Sequence, residues 1–185
     1  MFIPVEFHNG IIIQYNNYTN ISYYMENIET KETLKYSPMV KPKLVNIFEI
    51  APDITMSFTE EQYIKLQKGI TPKAMEDKWF VFFKDGWLHF LRSWTGEEMY
   101  RAEIIKEEDG GKGGKYSITE FYVESDEKLY KDGDNKIDLD IIFQIIFWGL
   151  LGIDTRERFI EKYGTGETGS ILIWSKFGRM FFPDT

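Results

Sequence analysis

The run Arg92–Gly96 (Arg-Ser-Trp-Thr-Gly) carries the clearest chemistry in this sequence. An arginine held against an indole face gains about 0.5–2 kcal/mol of cation–π energy. It also presents a planar fork of N–H donors that matches phosphate or carboxylate. Arg92 is expected to lie across a hairpin from Trp79 and beside Trp94, and two hydroxyls add donors at the same strand end. The residues predicted to bind a phosphate-bearing ligand are Lys78, Trp79, Arg92, Ser93, Trp94 and Thr95.

The same residues also allow a purely structural interpretation. In that case Arg92 stacks on Trp79 and pairs with Glu97 or Glu98, so that the cluster only stabilises the end of the hairpin. The two interpretations differ in the partner of the guanidinium, which is a carboxylate of the chain in one and a ligand anion in the other.

Three stretches resemble known ligand motifs but fail their requirements. Gly164–Gly169 matches G-x-G-x-x-G, yet a helical pattern precedes it where the dinucleotide fingerprint needs a strand. Asp132–Asp140 lacks the glycine and the glutamate that an EF-hand loop requires at its sixth and twelfth positions. Gly111–Tyr116 has no Ser or Thr at P-loop spacing. We expect turns at all three, with Gly164–Ser170 as an additional phosphate contact if a helix begins there.

Metal and thiol chemistry find no support in the residue types. The chain has no cysteine, which excludes disulfides, cysteine-ligated zinc and thiol catalysis. Its two histidines, His8 and His89, lie 81 positions apart and match no metal-binding or triad spacing. His89 is therefore expected to be structural, and no metal or cofactor is predicted.

Charge and hydropathy restrict the partners. The net charge is −8, from 22 basic and 30 acidic residues, which argues against general nucleic-acid binding because phosphate backbones are repelled. The apolar run Ile141–Leu151 is too short to span a membrane, which takes about 20 residues, so we expect no membrane association. Phe2–Phe7 shows no signal-peptide pattern, and a cytoplasmic location is expected.

A hairpin must position the Arg92 cluster. Asp85-Gly86 between two aromatic-rich strands is typical of a type I′ turn, which fixes the register of both strands. Both faces of the two strands are apolar, so we expect the hairpin to be central and covered on both sides. The expected cross-strand pairs are Lys84 with Trp87, Phe82 with His89, and Trp79 with Arg92.

The remaining pattern predicts an α+β fold. Alternation from Lys78 to Glu124 indicates an antiparallel β-meander of about four strands. A capping box precedes a short helix at Glu60–Lys68. Two further helices, Ile141–Leu151 and a capped segment from Asp154 to Gly164, are expected to back the meander. Ser170–Phe182 returns to the core as either a helix or a strand.

The N-terminal part reads as β-rich. Phe2–Phe7 and Ile11–Tyr15 flank an Asn-Gly turn, and Leu44–Ile50 is a further candidate strand. We predict a β-rich segment over residues 1–58, as a separate unit or as part of the same domain, followed by an α+β domain over residues 59–185.

From about Thr59 to Phe182 the chain resembles a family of small, poorly characterised bacterial proteins. The segments that carry the resemblance are Gly69–Lys73, Asp77–Phe80, Asp85–Leu88, Arg92–Gly96 and Trp174–Phe181, with Lys-Trp-Phe and Arg-Ser-Trp-Thr-Gly as the distinctive pair. Members often have His just before the Arg, where this chain has Leu91. Similar segments accompany ADP-ribosyl hydrolase and macrodomain proteins, which implies ADP-ribose or nucleotide metabolism. The resemblance supplies no catalytic residues.

We therefore expect a non-catalytic binding module for a nucleotide-like ligand, and ADP-ribose-containing compounds are the candidates that the resemblance suggests. A base would stack on Trp79 or Trp94, and Arg92 and Lys78 would hold phosphates. The first alternative is a protein-interaction module, such as an immunity protein or an inhibitor of a partner protein. A third is an ADP-ribose-related hydrolase, although no diagnostic spacing pairs its candidate carboxylates. Those carboxylates are Asp77, Asp85 and Glu97.

Overall fold

The computed structural model describes residues 7–8, 11–12, 36–107, 116–131, 134–164 and 166–181. The chain divides into two units, Met1–Leu34 and Lys35–Thr185. The first contains a short antiparallel hairpin of strands β1 (Phe7–His8) and β2 (Ile11–Ile12). The hairpin forms where the Asn-Gly pair predicts it, and the rest of the first unit lies outside the described residues.

The second unit is an α+β fold, which confirms the predicted class. Its strands are β3 (Pro42–Asn46), β4 (Met56–Phe58), β5 (Trp79–Lys84), β6 (Trp87–Arg92), β7 (Glu98–Glu103), β8 (Ile105–Lys106), β9 (Tyr116–Ile118) and β10 (Glu120–Glu124). Its helices are α1 (Ile47–Ile50), α2 (Glu60–Leu66), α3 (Asn135–Gln144), α4 (Arg156–Tyr163) and α5 (Gly166–Phe177). A π-helical segment, Ile145–Leu150, continues α3.

Strands β5 and β6 form the predicted hairpin in the predicted register, including the pair Trp79 and Arg92. Asp85 and Gly86 adopt φ values of +51° and +90°, as a type I′ turn requires. The hairpin lies at one side of the five-stranded sheet rather than at its centre, because the strand order is β3-β10-β7-β6-β5. Ile70 covers the outer edge of β5 by exchanging two backbone hydrogen bonds with Val81.

The hairpin of β7 to β10 bends from one sheet into another. The strand predicted over residues 116–124 divides at Thr119, and the strand before it divides at Ile104. A backbone hydrogen bond of 2.9 Å stabilises each interruption, one from Ile104 N to Gly86 O and the other from Ile47 N to Thr119 O. The bent tip therefore joins a second sheet with the order β4-β9-β8.

The N-terminal side of the second unit corrects one expectation. Strand β3 ends at Asn46, whose side chain accepts a hydrogen bond from Phe48 N and begins α1, so the predicted strand Leu44–Ile50 is half helix. Strands β3 and β4 pair with β10 and β9. The boundary predicted between residues 58 and 59 falls inside this unit.

The helices close the core against the inner face of the larger sheet. The capping box of α2 forms as predicted, with Thr59 and Gln62 bonding each other's backbone amides. Helix α5 settles the open assignment of Ser170–Phe182, which is helical as far as Phe177. None of the described helices combines the length and apolar character that crossing a membrane requires. Buried core residues include Trp79, Phe90, Tyr100, Phe121, Ile142, Phe159 and Phe177.

Candidate functional site

Arg92 lies flat against a buried indole at the end of β6. Its Cζ atom is 4.3 Å from the centroid of the Trp79 ring. Trp79 is 1% exposed, its Nε1 donates to Lys176 O at 2.6 Å, and the ring of Tyr100 packs 5.5 Å away. A buried ring offers no face to a ligand, so Trp79 orients Arg92 and does not stack a base.

The guanidinium of Arg92 pairs with no carboxylate among the described residues and makes no hydrogen bond to them. Both carboxylates of the structural interpretation are engaged elsewhere. Glu97 Oε2 accepts from Thr95 Oγ1 at 2.9 Å, and Glu98 is a buried acceptor of other groups. Arg92 is half-buried and oriented by the indole, and no carboxylate of the described residues compensates its charge.

Trp94 is the indole that faces solvent. Its side chain is 57% exposed, and its Nε1 donates to Met75 O at 2.6 Å, which fixes the ring. Lys78 Nζ lies 4.9 Å from the centroid of the ring. Of the predicted residues, Trp94 and Lys78 thus form an aromatic and cationic surface next to the turn that follows Arg92.

The two hydroxyls of the predicted site shape the turn instead of facing a ligand. Ser93 Oγ donates to the backbone carbonyl of Asp77, which joins the turn to the start of β5. Thr95 Oγ1 donates to Glu97 and accepts from the amide of that residue at 3.3 Å. Gly96, with φ +74°, closes the turn through a bond from its amide to Arg92 O.

Asp77, a candidate carboxylate for hydrolysis, is a structural anchor. Its Oδ2 accepts from the amides of Lys73 and Ala74 at 2.7 and 3.1 Å. Arg179 donates to both carboxylate oxygens, from Nε to Oδ1 at 3.2 Å and from Nη2 to Oδ2 at 2.9 Å. The group is fully used in holding the loop before β5 against the segment after α5.

The other candidate carboxylates do not assemble with it. Asp85 is exposed in the β5–β6 turn, at the far end of the hairpin from Asp77, and Glu97 is bonded to Thr95. Among the described residues no group of three or more His, Asp or Glu side chains is arranged to hold a metal ion. The geometry therefore supplies positive charge and an aromatic face rather than paired acids.

The C-terminal end of helix α5 places the segment Trp174–Phe181 next to this site. The glycine-rich turn Gly164–Ser170, at the other end of the helix, lies far from it. Gly178, with φ +54°, forms an isolated antiparallel β-bridge with Asp77. A Cβ atom at Gly178 would lie 2.0 Å from Glu76 O, so the close approach of the two segments requires glycine. Lys176, near the same helix end, accepts the indole bond of Trp79. The other helix end, Gly166, is ten residues or about 15 Å away. The turn Gly164–Ser170 thus does not reach Trp79.

A buried pair on the outer face of the sheet escaped prediction. His89 Nδ1 lies 2.6 Å from Glu98 Oε1, and Glu98, 1% exposed, also accepts from Tyr36 Oη and Met39 N at 3.3 Å. Burial and the adjacent Glu98 raise the pKa of Tyr36 to about 12. These bonds fit the structural role predicted for His89, which stays a prediction. The sequence gives no local signal for the whole cluster, because Tyr36 lies 62 positions before Glu98.

The comparisons with known proteins add no constraint on this geometry. The sequence matches no protein-family model, and comparisons with curated proteins and with solved structures find no match either. The resemblance carried by the Lys-Trp-Phe and Arg-Ser-Trp-Thr-Gly segments stays an expectation. Functional inference therefore rests on the cluster of Arg92, Lys78 and Trp94 itself.

Proposed function

We propose that this protein is a non-catalytic binding module for a small phosphate-bearing ligand with a planar ring, such as a nucleotide. The observation that carries the proposal is the guanidinium of Arg92, stacked 4.3 Å from Trp79 and paired with no carboxylate in the described chain. Because the buried ring already fixes its orientation, Arg92 loses little freedom when its fork binds phosphate oxygens.

Trp94 and Lys78 are suited to bind the planar ring of the ligand and a second phosphate. Stacking of a base on an exposed aromatic side chain contributes about 1–3 kcal/mol, and the Trp94 ring is held in place by its bond to Met75 O. The ammonium of Lys78 lies over that ring and adds a second positive charge. In a chain of net charge −8, these cations offset the general repulsion of phosphates.

ADP-ribose is the specific ligand that we propose. Its adenine suits one exposed indole, and its two phosphates suit two cations, Arg92 and Lys78. The family resemblance points to the same compound. The chain contains no cysteine, which fits a reducing cytoplasmic location.

A ligand panel tests this function on the full chain. Thermal unfolding and calorimetric titration with ADP-ribose, ADP, AMP, adenosine and inorganic phosphate are expected to show binding that strengthens with each phosphate. A ligand at 100 times its Kd adds about 2.7 kcal/mol to the stability. Arg92→Gln is expected to weaken ADP-ribose binding at least about tenfold, since a charge-assisted bond is worth roughly 1.5–3 kcal/mol.

Arg158→Gln is the matched control for that variant. It removes one positive charge from an exposed part of α4, where the guanidinium lies 4.8 Å from the ring of Phe143. It should leave ADP-ribose affinity unchanged. A folded Arg92→Gln protein that binds ADP-ribose as tightly as the parent would refute the site.

A protein-interaction module, such as an immunity protein or an inhibitor, is the second candidate. Two exposed apolar residues favour it, Met75 at 64% and Trp94 at 57%. The indole of Trp94 donates a hydrogen bond to the backbone carbonyl of Met75, so the two residues are neighbours on the surface. Tryptophan and methionine are enriched in interfaces. This function predicts no response to the ligand panel, and a stable complex that Met75→Asp disrupts and Arg92→Gln leaves intact. Co-purification and size-exclusion chromatography of those variants separate the two candidates.

A further inference from the structure

A second concave surface lies on the outer face of the larger sheet, where the hairpin of β7 to β10 bends. The strands are interrupted at Ile104 and Thr119. Backbone hydrogen bonds from Ile104 N to Gly86 O and from Ile47 N to Thr119 O stabilise the bend at these two positions. The bend leaves a groove of about 140 Å³ between the two sheets. Its lining residues are Trp87, Glu103, Ile105, Thr119, Glu120 and Tyr122.

The groove is separate from the Arg92 site. Trp87 begins β6 and Arg92 ends it, five residues or about 17 Å away along the strand. The groove is also smaller than the roughly 300–1,000 Å³ of pockets that take drug-sized ligands. It therefore suits a single side chain rather than a nucleotide.

The aromatic walls of the groove already accept a guanidinium from within the protein. Arg101 places its Cζ atom 5.5 Å from the centroid of the Trp87 ring and 5.1 Å from that of Tyr122. The two ring centroids are 5.9 Å apart at an interplanar angle of 50°. Arg101 Nε is buried without a hydrogen-bond partner among the described residues, and its charge also acts on Tyr36. The pair of rings is thus built to hold a planar cation.

The acidic lining outweighs that internal cation. Glu103 and Glu120 are exposed at the groove, and neither forms an ion pair within the described chain. The nearest contact of Glu120 is a long bond of 3.4 Å from Asn46 Nδ2. The residues that line the groove include these two carboxylates and no basic side chain. Together with the aromatic walls, this acidic lining favours a cationic side chain.

We propose that the groove docks an arginine side chain presented by a peptide segment of a partner protein. Trp87 and Tyr122 are both partly exposed, so a planar guanidinium can stack on one of these rings beside Arg101 while its fork reaches Glu103 and Glu120. A lysine ammonium matches the charge but neither the stacking nor the two-pronged contact. The proposal adds a protein ligand and is independent of the nucleotide site.

The test is an NMR titration of the full chain with the peptide acetyl-Gly-Gly-Arg-Gly-Gly-amide. The indole N–H signal of Trp87, assigned with Trp87→Phe, is expected to shift in a saturable manner. The effect should weaken as salt rises, because the carboxylates are exposed. The matching citrulline peptide, which is neutral, is expected to bind at least about fivefold more weakly, since about 1 kcal/mol of exposed charge contact is lost. The lysine peptide keeps the charge but loses the planar stacking and the two-pronged contact, so it is expected to bind more weakly as well.

Variants locate the binding. Glu103→Gln/Glu120→Gln keeps the shape of the groove and is expected to weaken arginine-peptide binding at least about fivefold. Glu127→Gln/Glu161→Gln removes the same charge from exposed positions elsewhere and should leave the affinity unchanged. Equal binding of the citrulline peptide, or an unchanged affinity in the Glu103/Glu120 variant, would overturn the site. Equal binding of the lysine peptide would overturn the preference for arginine.

Discussion

Trp79→Ala is expected to lower the free energy of unfolding by about 3–5 kcal/mol, the range for truncating a large aromatic side chain in a core. Trp79 is 1% exposed, and its loss leaves a cavity between β5, Tyr100 and α5. It also leaves Lys176 O without the indole donor at 2.6 Å. Where the variant stays folded, Arg92 has lost its platform, so phosphate affinity should fall as well.

Trp94→Ala is the matched control, because it removes the same side chain from the surface. Its ring is 57% exposed and contributes one hydrogen bond to Met75 O. The expected loss is below about 1.5 kcal/mol, although ligand binding should drop. Urea unfolding followed by circular dichroism measures both variants without relying on tryptophan emission. Similar stability losses at the two positions would contradict the assignment of Trp79 as the platform and Trp94 as the exposed ring.

The contrast between these two tryptophans shows where sequence reasoning reaches its limit. The Asp85-Gly86 turn has two residues, so it determines the register, and the pairing of Trp79 with Arg92 was predictable. The burial of Trp79 depends on α5, because the partner of its indole lies 97 positions away. No local pattern reports such a contact. Both indoles therefore looked equally suited to stacking a base.

The outer face of the sheet shows the same limit for charged residues. From the sequence alone, Glu98 is only a candidate partner of Arg92, yet Glu98 and Glu124 are each 1% exposed and bind other groups. Glu124 accepts from the amides of Val40 and Lys41 at 2.6 and 3.0 Å, so it satisfies backbone donors of a crossing segment. Both carboxylates are buried because they accept hydrogen bonds from residues 36–41, which cross the end of the sheet. The alternation of residues along one strand does not predict this long-range contact.

Glu98→Ala is expected to lower the free energy of unfolding by about 2–5 kcal/mol, since each buried group left without a hydrogen-bond partner costs about 1–3 kcal/mol. The carboxylate accepts from His89 Nδ1 at 2.6 Å and from Tyr36 Oη and Met39 N at 3.3 Å. Its loss leaves these groups without their acceptor. Glu97→Ala, one residue away and partly exposed, should cost less than about 1 kcal/mol, and an equal loss there would refute the argument.

Glu98→Gln separates the charge of Glu98 from its volume. Burial and Glu98 raise the pKa of Tyr36 from 10.0 to about 12. The stability linked to this raised pKa is fully present below about pH 10 and is lost as the pH rises through 12. With a neutral amide at position 98, the Tyr36 pKa should move back toward 10.0 and flatten that alkaline loss. Titration of Tyr36 by NMR in both proteins measures the shift, and an unchanged pKa in Glu98→Gln would show that burial alone raises it.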